Sequence, residues 1–340
     1  MVEQLQAHKS LRAFNTFGVE ARARYFVTVD EIDVLARVAD DPRLRELPWL
    51  ILGGGSNLLI TKDFDGLVLH VALCGVAELP PADGAWRIRV GAGENWHGLV
   101  EQLVRGGRPG LENLALIPGL AGAAPIQNIG AYGLEIAERL ESVQVWNFER
   151  RASEDWSVAD CGFGYRDSTF KRQPAGRLLI TGITLRLPHQ WTAVTGYADV
   201  AAELAARDVH TPQARDVFDA VVAVRQRKLP DPARIGNAGS FFKNPVVGRD
   251  IHQQLIAHHP SLVSYALPGG RFKLAAGWLI DACGLKGATR GRAGVYEKQA
   301  LVLVNRGGAS GSEILSLARE VQDKVREKFG VELEPEPVIV

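Results

Sequence analysis

The stretch PGLAGAAPIQNIGAYG, residues 118–133, is made almost entirely of small, neutral residues. Most of its side chains are a hydrogen or a methyl group, so the backbone can approach a flat ligand closely. Gln127 and Asn128 can hydrogen-bond to such a ligand. A surface loop would normally carry more charge. We therefore predict that this small-residue loop (residues 118–133) is buried and faces a ligand.

Two other glycine turns flank predicted secondary structure. GGGSN, residues 53–57, follows a predicted strand at 48–52, and Gly91-Ala92-Gly93 joins a predicted strand to a predicted helix. The backbone N–H groups of GGGSN could cradle a phosphate, with Ser56 and Asn57 as additional donors. A plain tight turn explains GGGSN alone equally well. GGGSN matches neither a Walker loop nor G-x-G-x-x-G, which excludes the usual mononucleotide and Rossmann interpretations. Gly91-Ala92-Gly93 is a weak signal on its own.

The composition excludes several function classes. The formal net charge of the 340 residues is +0, which removes the electrostatic argument for binding nucleic acid or an anionic membrane. Three dispersed cysteines without a C-x-x-C pair, and histidines without H-E-x-x-H spacing, predict neither a disulfide framework nor a metal site. The length suggests two or three domains of about 150 residues.

No segment predicts membrane insertion or export. The start of the chain, MVEQLQAHKS, lacks the apolar core of a signal peptide. The uncharged stretch 114–134 is interrupted by prolines, glycines and amides, which a membrane-spanning helix disfavours. We expect a soluble, cytoplasmic protein.

Strand and helix patterns alternate irregularly, which favours an α+β fold over a doubly wound sheet. The clearest helix is Ser312–Phe329, with apolar residues three or four positions apart and Gly330 at its end. Asp30 is predicted to cap an earlier helix, and Thr211-Pro212 to begin another. Val331–Glu336 alternates apolar and acidic residues like a strand, and one of its glutamates could turn inward.

The segment NAGSFFKNP, residues 237–245, places Ser240 between a glycine and two phenylalanines. It is not a G-x-S-x-G elbow and has no histidine nearby in sequence, so a serine nucleophile is disfavoured. Apolar surroundings suit a hydroxyl that donates a proton, although a buried turn serine is the alternative. Arg225, Lys228 and Lys243 could meet an anionic ligand, but Arg225 and Lys228 also lie where a helix C-terminus attracts cations.

Seven motifs occur in a fixed order along the chain: GGGSN, VGAGENWHGLV, GLENLALIPGLAGAAPIQNIGAYG, CGFGYRDSTFK, GNAGSFFKNP, AAGWLID and LEPE. In this order they resemble the UDP-N-acetylenolpyruvoylglucosamine reductase family, also called UDP-N-acetylmuramate dehydrogenases, over nearly the whole chain. The resemblance implies an FAD-binding domain of the vanillyl-alcohol-oxidase (PCMH) type at residues 17–188, with lobes at about 17–72 and 73–188. It implies a substrate-binding domain at 200–330, and a strand at 331–340 that returns to the active site.

The resemblance also assigns roles to residues. Arg166, Ser240 and Glu336 would be catalytic, with Ser240 as the proton donor. FAD would be held non-covalently, because no histidine lies within GGGSN or 114–134, by Gly53, Gly54, Gly55, Ser56, Asn57, Leu58, Pro118, Gly119, Gly122, Ala123, Ala124, Gln127, Asn128 and Ile129. The UDP-sugar would be held by Tyr197, Arg225, Lys228, Lys243, Asn244 and Gln299. Tyr197 would lie in the substrate-covering loop of the family's type I branch.

The implied activity is the NADPH-dependent reduction of an enolpyruvyl ether of a UDP-sugar in peptidoglycan synthesis, by a monomer. Two alternatives stay open: a flavoprotein oxidase of the same fold, and a UDP-sugar-binding regulator without turnover. Two features depart from the family pattern. Pro337 follows Glu336 where valine is common, which makes the direction of the Glu336 side chain uncertain. The sequence stops at Val340, so we expect a weakly anchored last strand.

Overall fold

The structure is a computed structural model, and it describes residues 5–174 and 176–340. The chain divides into two compact units. Unit 1 comprises the described residues up to Lys9, then Ala23–Gly54 and Phe64–Arg227; unit 2 comprises Ser10–Arg22, Gly55–Asp63 and Lys228–Val340. Unit 1 therefore runs on to Arg227, beyond the predicted boundary at 188, and two early segments belong to unit 2.

The described residues form a mixture of strands and helices, which confirms the predicted α+β class. The strands are Gln6–Ser10 (β1), Arg22–Val29 (β2), Trp49–Leu52 (β3), Leu58–Leu59 (β4), Phe64–Val71 (β5), Val76–Ala82 (β6), Ala85–Gly91 (β7), Gly130–Ala131 (β8), Leu134–Glu135 (β9), Leu140–Asn147 (β10), Ala152–Ser157 (β11), Leu178–Pro188 (β12), Gly236–Ser240 (β13), Val246–Gly248 (β14), Ser264–Leu267 (β15), Arg271–Leu274 (β16), Thr289–Arg290 (β17), Ala293–Val295 (β18), Val302–Asn305 (β19) and Val338–Ile339 (β20). The α-helices are Asp33–Asp40 (α1), Trp96–Arg105 (α2), Thr169–Arg172 (α3), Ala198–Ala206 (α4), Ala214–Lys228 (α5), Arg249–His258 (α6), Ala276–Ala282 (α7) and Gly311–Phe329 (α8).

Unit 1 contains two larger sheets. The first has the order β1-β2-β5-β3, in which β2 and β3 both run parallel to β5. Strand β3 ends at Leu52, so the chain leaves the sheet directly into the glycines of GGGSN. The second is antiparallel, with the order β11-β10-β12-β7-β6. Strand β7 leads into Gly91-Ala92-Gly93 and then into α2, so both sheets deliver a glycine turn at a strand end.

Helix α2 forms for reasons that are local in sequence. The side chain of Asn95 caps its start by accepting a hydrogen bond from the backbone of Gly98. The buried side chains are Trp96, Leu99, Val100 and Leu103, spaced three or four residues apart as on one helix face. These side chains belong to the hydrophobic core of unit 1, and the helix predicted here is confirmed.

Unit 2 contains the sheets β13-β19-β18-β17, β14-β16-β15 and β20-β4. Helix α8 begins with a capping box between Ser310 and Glu313 and ends at Gly330, whose φ is 65°. Its buried residues form the apolar stripe that the sequence predicts: Ile314, Leu317, Ala318, Val321 and Val325. The stripe packs into the hydrophobic core of unit 2.

Three predicted boundaries are wrong. Asp30 does not cap a helix, because α1 begins at Asp33 and Ile32 occupies the capping position. Helix α5 begins at Ala214 rather than at Thr211-Pro212, because the Asp216 side chain accepts a hydrogen bond from the Gln213 backbone and so fixes a later start. Residues 331–336 are not a strand, since two prolines at 335 and 337 have no N–H to donate to a ladder; pairing there is limited to one bridge, and the strand is β20.

Among the helices of the described residues, none is both long enough and apolar enough to cross a membrane.

We predict that Gly122→Ala destabilises the protein. A Cβ added at Gly122 would lie 2.4 Å from the Ala92 Cβ, so the packed backbone must shift, which typically costs about 1–3 kcal/mol. Denaturant unfolding should show this decrease in the free energy of unfolding. Gly196→Ala is the control, because nothing lies within 4 Å of its added Cβ. Equal stability of the two variants would contradict the close packing of the small-residue loop.

Candidate active site

Within unit 1, Gly54 of GGGSN and the turn Gly91-Ala92-Gly93 both pack against the small-residue loop. A Cβ added at Gly54 would lie 3.2 Å from the Gly119 Cα, so these two backbones are in close approach. On the other turn, Gly122 donates a hydrogen bond to the Ala92 carbonyl at 2.9 Å, and Trp96 donates to the Gly119 carbonyl at 3.0 Å. The result is a wall of backbone and methyl groups, which fits a flat ligand.

The residues predicted to hold the flavin are divided between the units. Gly53, Gly54 and the predicted residues of the small-residue loop belong to unit 1, whereas Gly55, Ser56, Asn57 and Leu58 belong to unit 2. On its own, Gly91-Ala92-Gly93 is a weak signal in the sequence. In the structure this turn supports the small-residue loop, because its Ala92 carbonyl accepts the hydrogen bond from Gly122 N–H.

Asn128 is buried, with 1% of its surface exposed, and its φ is 43°. Its Nδ2 donates to Glu135 Oε2 at 2.7 Å and to the Gly164 carbonyl at 3.1 Å. Its Oδ1 accepts from the Ala137 backbone N–H at 3.1 Å. Both amide hydrogens are therefore used inside the protein. The prediction that Asn128 helps to hold FAD stays a prediction, and these bonds commit its side-chain N–H groups to protein acceptors.

Arg166 lies in a turn, residues 164–168, that we call the Arg166 turn. The backbones of Gly164 and Asp167 exchange hydrogen bonds of 3.0 and 3.2 Å across it. Arg166 itself has a φ of 52°, a left-handed conformation that is costly for a residue with a side chain. Its guanidinium donates to the Gly130 carbonyl at 2.7 Å and lies 5.3 Å from the centre of the Tyr165 ring. The predicted catalytic arginine is thus held against the small-residue loop.

Arg225 is placed beside the small-residue loop within unit 1. Its guanidinium faces the Tyr132 side chain, and burial lowers the pKa of Arg225 and raises that of Tyr132. The Arg225 Nε is buried and has no hydrogen-bond partner among the described residues. Tyr132 also stacks edge-on against Tyr197, with ring centres 5.2 Å apart. The structure therefore brings together two of the predicted substrate ligands, Tyr197 and Arg225, around Tyr132.

Ser240 ends strand β13 of unit 2, just after a register shift between Asn237 and Ser240 in the pairing with β19. Gly239, at φ 69°, makes this bulge possible. The buried Asn237 side chain stabilises it by accepting from Gly239 N–H and donating to Ile235 and Pro230 carbonyls. Ser240 is half-buried, and its hydroxyl has no hydrogen-bond partner among residues 5–174 and 176–340. The hydroxyl is therefore available to a ligand.

Glu336 is held by its backbone on both sides within unit 2. Its N–H donates to the carbonyl of Phe241, the residue after Ser240, at 2.9 Å, and its carbonyl accepts from Asn57 Nδ2 at 3.3 Å. Pro337 needs no N–H here, because the next donor, Val338 N–H, bonds the Asn57 carbonyl at 3.0 Å. The proline therefore leaves the backbone of Glu336 fully held.

The expectation of a weakly anchored last strand is also wrong. Strand β20 pairs in parallel with β4, and the Val340 carbonyl accepts from both the N–H and the hydroxyl of Thr61, at 2.6 and 2.8 Å. These partners are remote in sequence but fix the end of the described chain. Of the glutamates in VELEPE, Glu332 and Glu334 are exposed, and only Glu336 is half-buried.

The other predicted substrate ligands of unit 2 have protein partners. Lys243 Nζ pairs with Glu334 Oε1. Asn244 Oδ1 accepts from the first N–H of α7, at Ala276, at 3.0 Å, and a Cβ added at Gly277 would lie 2.9 Å from Gln299 Oε1. Asn244 and Gln299 therefore meet at the first turn of α7. Lys228 is the last residue of α5 and is half-buried.

Two supporting residues were missed from the sequence. Glu135 fixes the Asn128 amide, and it is the first charged residue after the uncharged stretch 114–134, a signal that could have identified it. Asn237 precedes Gly239 by two positions, which is the spacing of an Asx turn.

For metals, the described part of the chain contains no group of three or more His, Cys, Asp or Glu side chains placed to bind an ion.

Two family models match this chain, one mainly in unit 1 and one in unit 2. Residues 23–149 match the family model of an FAD binding domain, and residues 231–340 match the UDP-N-acetylenolpyruvoylglucosamine reductase C-terminal domain. The chain is 55% identical over 341 residues to the UDP-N-acetylenolpyruvoylglucosamine reductase of Ralstonia nicotianae, covering 99% of each. It is 56% identical over 331 residues to the protein of that name from Burkholderia mallei, covering 97% of this chain and 95% of the relative.

Among solved structures, the chain resembles UDP-N-acetylenolpyruvylglucosamine reductase from Thermus caldophilus. The TM-score is 0.67 at 26% sequence identity, with 98% of this chain and 97% of the other covered.

We predict that Tyr132→Phe lowers the free energy of unfolding by about 1–3 kcal/mol, because the half-buried Arg225 guanidinium loses a polar group that faces it. Denaturant unfolding at neutral pH measures the change. Tyr265→Phe, at a tyrosine that is 46% exposed, is the control and should stay within about 0.5 kcal/mol of the parent. If both variants match the parent, the Tyr132–Arg225 contact contributes nothing to stability.

Proposed function

Because the chain belongs to the UDP-N-acetylenolpyruvoylglucosamine reductase family, we propose that it uses NADPH to reduce UDP-N-acetyl-3-O-(1-carboxyvinyl)-glucosamine to UDP-N-acetylmuramate. The family makes it an FAD-binding oxidoreductase of peptidoglycan synthesis, with a PCMH-type FAD-binding domain followed by the reductase C-terminal domain. The observation that carries the proposal is the half-buried Ser240, whose hydroxyl is available beside the backbone that holds Glu336. Cytoplasmic location and a monomeric state remain predictions from the sequence.

The residues of unit 1 fit the flavin. The wall formed by Gly54, Gly119 and Gly122 offers close backbone approach without charged side chains, which suits a flat, largely apolar ring system. Non-covalent binding is supported by the absence of histidine from GGGSN and from 114–134. FAD would supply the redox chemistry that carries hydride from NADPH to the terminal carbon of the enolpyruvyl double bond.

Arg166 would stabilise the charge that develops on the substrate. The double bond is conjugated to a carboxylate, so hydride addition at the terminal carbon leaves negative charge spread from the α-carbon into that carboxylate. A guanidinium can meet this charge with charge-assisted hydrogen bonds. The bond from Arg166 to the Gly130 carbonyl fixes one end of the guanidinium beside the small-residue loop.

Ser240 would donate the proton that completes the reaction at the α-carbon. Its place after the bulge, and the absence of a protein partner among the described residues, leave the hydroxyl able to give up its proton. Glu336 would support this step through its charge or the proton path, since its backbone is fixed to Phe241.

The UDP-sugar would be held by Tyr197, Lys228, Asn244 and Gln299, with Asn244 and Gln299 acting from the first turn of α7. Arg225 and Lys243 are proposed with them, although Arg225 faces Tyr132 and Lys243 pairs with Glu334 in the structure. These two cations would contribute to the positive field of the site even if they make no direct contact.

We expect the purified protein to be yellow, to lose its colour when NADPH is added without oxygen, and to regain it when the enolpyruvyl UDP-sugar follows. Absorbance spectroscopy checks each step, and mass spectrometry should find UDP-N-acetylmuramate. Colour that returns only with oxygen would instead indicate an oxidase. A protein that binds the sugar without turnover would indicate a regulator.

We predict that Ser240→Ala leaves NADPH-driven flavin reduction almost unchanged and slows reoxidation by the enolpyruvyl sugar by about 10²–10⁴-fold, the usual contribution of general acid catalysis. Stopped-flow absorbance separates the two half-reactions. Ser240→Cys should recover part of the rate, because a thiol can donate a proton. Ser316→Ala, at an exposed serine of α8, is the control. Equal slowing of both half-reactions would mean that Ser240 is structural.

A further inference from the structure

We propose that Asn128 is a positioning residue for Arg166, and that its side chain holds the Arg166 turn against the small-residue loop instead of binding the flavin. The inference deepens the proposed function and rests on it in one respect: the catalytic role of Arg166 comes from the family. The placement of Asn128 itself depends only on contacts within unit 1.

Three hydrogen bonds tie the Arg166 turn to the small-residue loop. The Ser168 hydroxyl donates to the Ile126 carbonyl at 2.5 Å, and the Arg166 guanidinium donates to the Gly130 carbonyl at 2.7 Å. The third bond runs in the opposite direction, from Asn128 Nδ2 to the Gly164 carbonyl at 3.1 Å. Asn128 is therefore the side chain of the small-residue loop that takes part in these three bonds. It binds the Arg166 turn at Gly164, whereas Ser168 lies at the other end of the turn.

The orientation of the Asn128 amide is fixed by its other partners. The Glu135 carboxylate can only accept, so the NH₂ group must point to it, at 2.7 Å. The Ala137 N–H can only donate, so Oδ1 must point to it, at 3.1 Å. With one amide hydrogen used by Glu135, the other is directed to Gly164. Glu135 thus aligns Asn128, and Asn128 aligns the turn.

Asparagine also suits the backbone at this position. The φ of Asn128 is 43°, in the left-handed region that asparagine and aspartate adopt more readily than other residues with side chains. Few residues combine this tolerance with two side-chain N–H donors. The position therefore meets a conformational demand of the loop and a hydrogen-bonding demand of the Arg166 turn at once.

The Arg166 turn needs such a restraint. Arg166 has a φ of 52°, which is a strained conformation for a residue with a side chain, so the turn relaxes to another conformation if its hydrogen bonds to the loop are lost. Its guanidinium reaches Gly130 through a narrow space: a Cβ added at Gly130 would lie 3.2 Å from Arg166 Nη1 and 3.0 Å from Glu135 Cγ. A small displacement of the turn would therefore move the guanidinium away from the position where it meets substrate charge.

Asn128→Asp tests the proposal in the flavin-loaded protein. Aspartate keeps the left-handed preference and the acceptor, but it removes both donors and places a second carboxylate beside Glu135. We expect normal flavin content and NADPH-driven reduction within about threefold of the parent. Reoxidation by saturating enolpyruvyl sugar should fall about 10²-fold, as expected when a catalytic group is misplaced. Asn128→Gly, which removes the donors without adding charge and tolerates a positive φ, should show the same selective loss.

A second readout does not depend on activity. Hydrogen–deuterium exchange of the peptide spanning 161–168 should become at least tenfold faster in Asn128→Asp and Asn128→Gly, because the turn is released. Asn113→Asp is the matched control: Asn113 is equally buried and donates two bonds, to the Tyr132 and Val194 carbonyls, without touching the Arg166 turn. Its peptide 161–168 should exchange as in the parent.

The outcomes separate the two proposals. Loss of flavin with unchanged exchange at 161–168 would make Asn128 a flavin ligand and overturn the inference, as would equal slowing of both half-reactions. If the parent protein does not reduce the enolpyruvyl sugar, the proposed function fails. Faster exchange in the Asn128 variants, but not in Asn113→Asp, would still establish Asn128 as the restraint on the turn.

Discussion

The close approach of backbones at the small-residue loop is the constraint on which the candidate active site of unit 1 depends. Gly122 and Gly54 have no Cβ, and so the loop can lie directly on Ala92 and on the end of β3. Larger side chains at these positions would separate the loop from both sheets. The same choice of residues removes charge from the region, so the loop gives shape to the site but little chemistry. The charged group must come from elsewhere, and the Arg166 turn brings it.

Buried asparagine amides compensate for the irregular backbone that this arrangement requires. Loops that leave a sheet lose the ladder that would satisfy their N–H and C=O groups, and unpaired groups are costly when buried. An amide donates and accepts without the cost of burying a charge. In unit 1 the amides of Asn113 and Asn128 serve this purpose. In unit 2 Asn237 braces the Ser240 bulge, and Asn305 bonds the Phe17 carbonyl and the N–H groups of Gly307 and Ala309.

Sequence alone predicted the features whose causes are local. Helices α2 and α8 carry their own caps and apolar stripes, and both were located correctly. The errors concern features that depend on distant partners. The apolar–acidic alternation of 331–336 indicates a strand, but other features decide the structure there. These are two prolines, the hydrogen bond that Glu336 N–H donates to Phe241, and the one that the Glu336 carbonyl accepts from Asn57. Asn57 and Glu336 are 279 positions apart, and no local pattern encodes such a contact. The motif resemblance supplied the proposed site residues, but it did not indicate that the Asn128 amide is occupied by protein partners.

Backbone strain gives an independent indication of where function lies. Of the described non-glycine residues with positive φ, four belong to the small-residue loop, its approach or the Arg166 turn: Leu116, Asn128, Tyr132 and Arg166. Such conformations cost of order 1–3 kcal/mol each and persist only where surrounding contacts enforce them. Around Arg166, three hydrogen bonds worth about 0.5–1.5 kcal/mol each are enough to offset the strain. These hydrogen bonds therefore hold the Arg166 guanidinium at a fixed place beside the loop. A turn without such a role would have relaxed to an unstrained conformation.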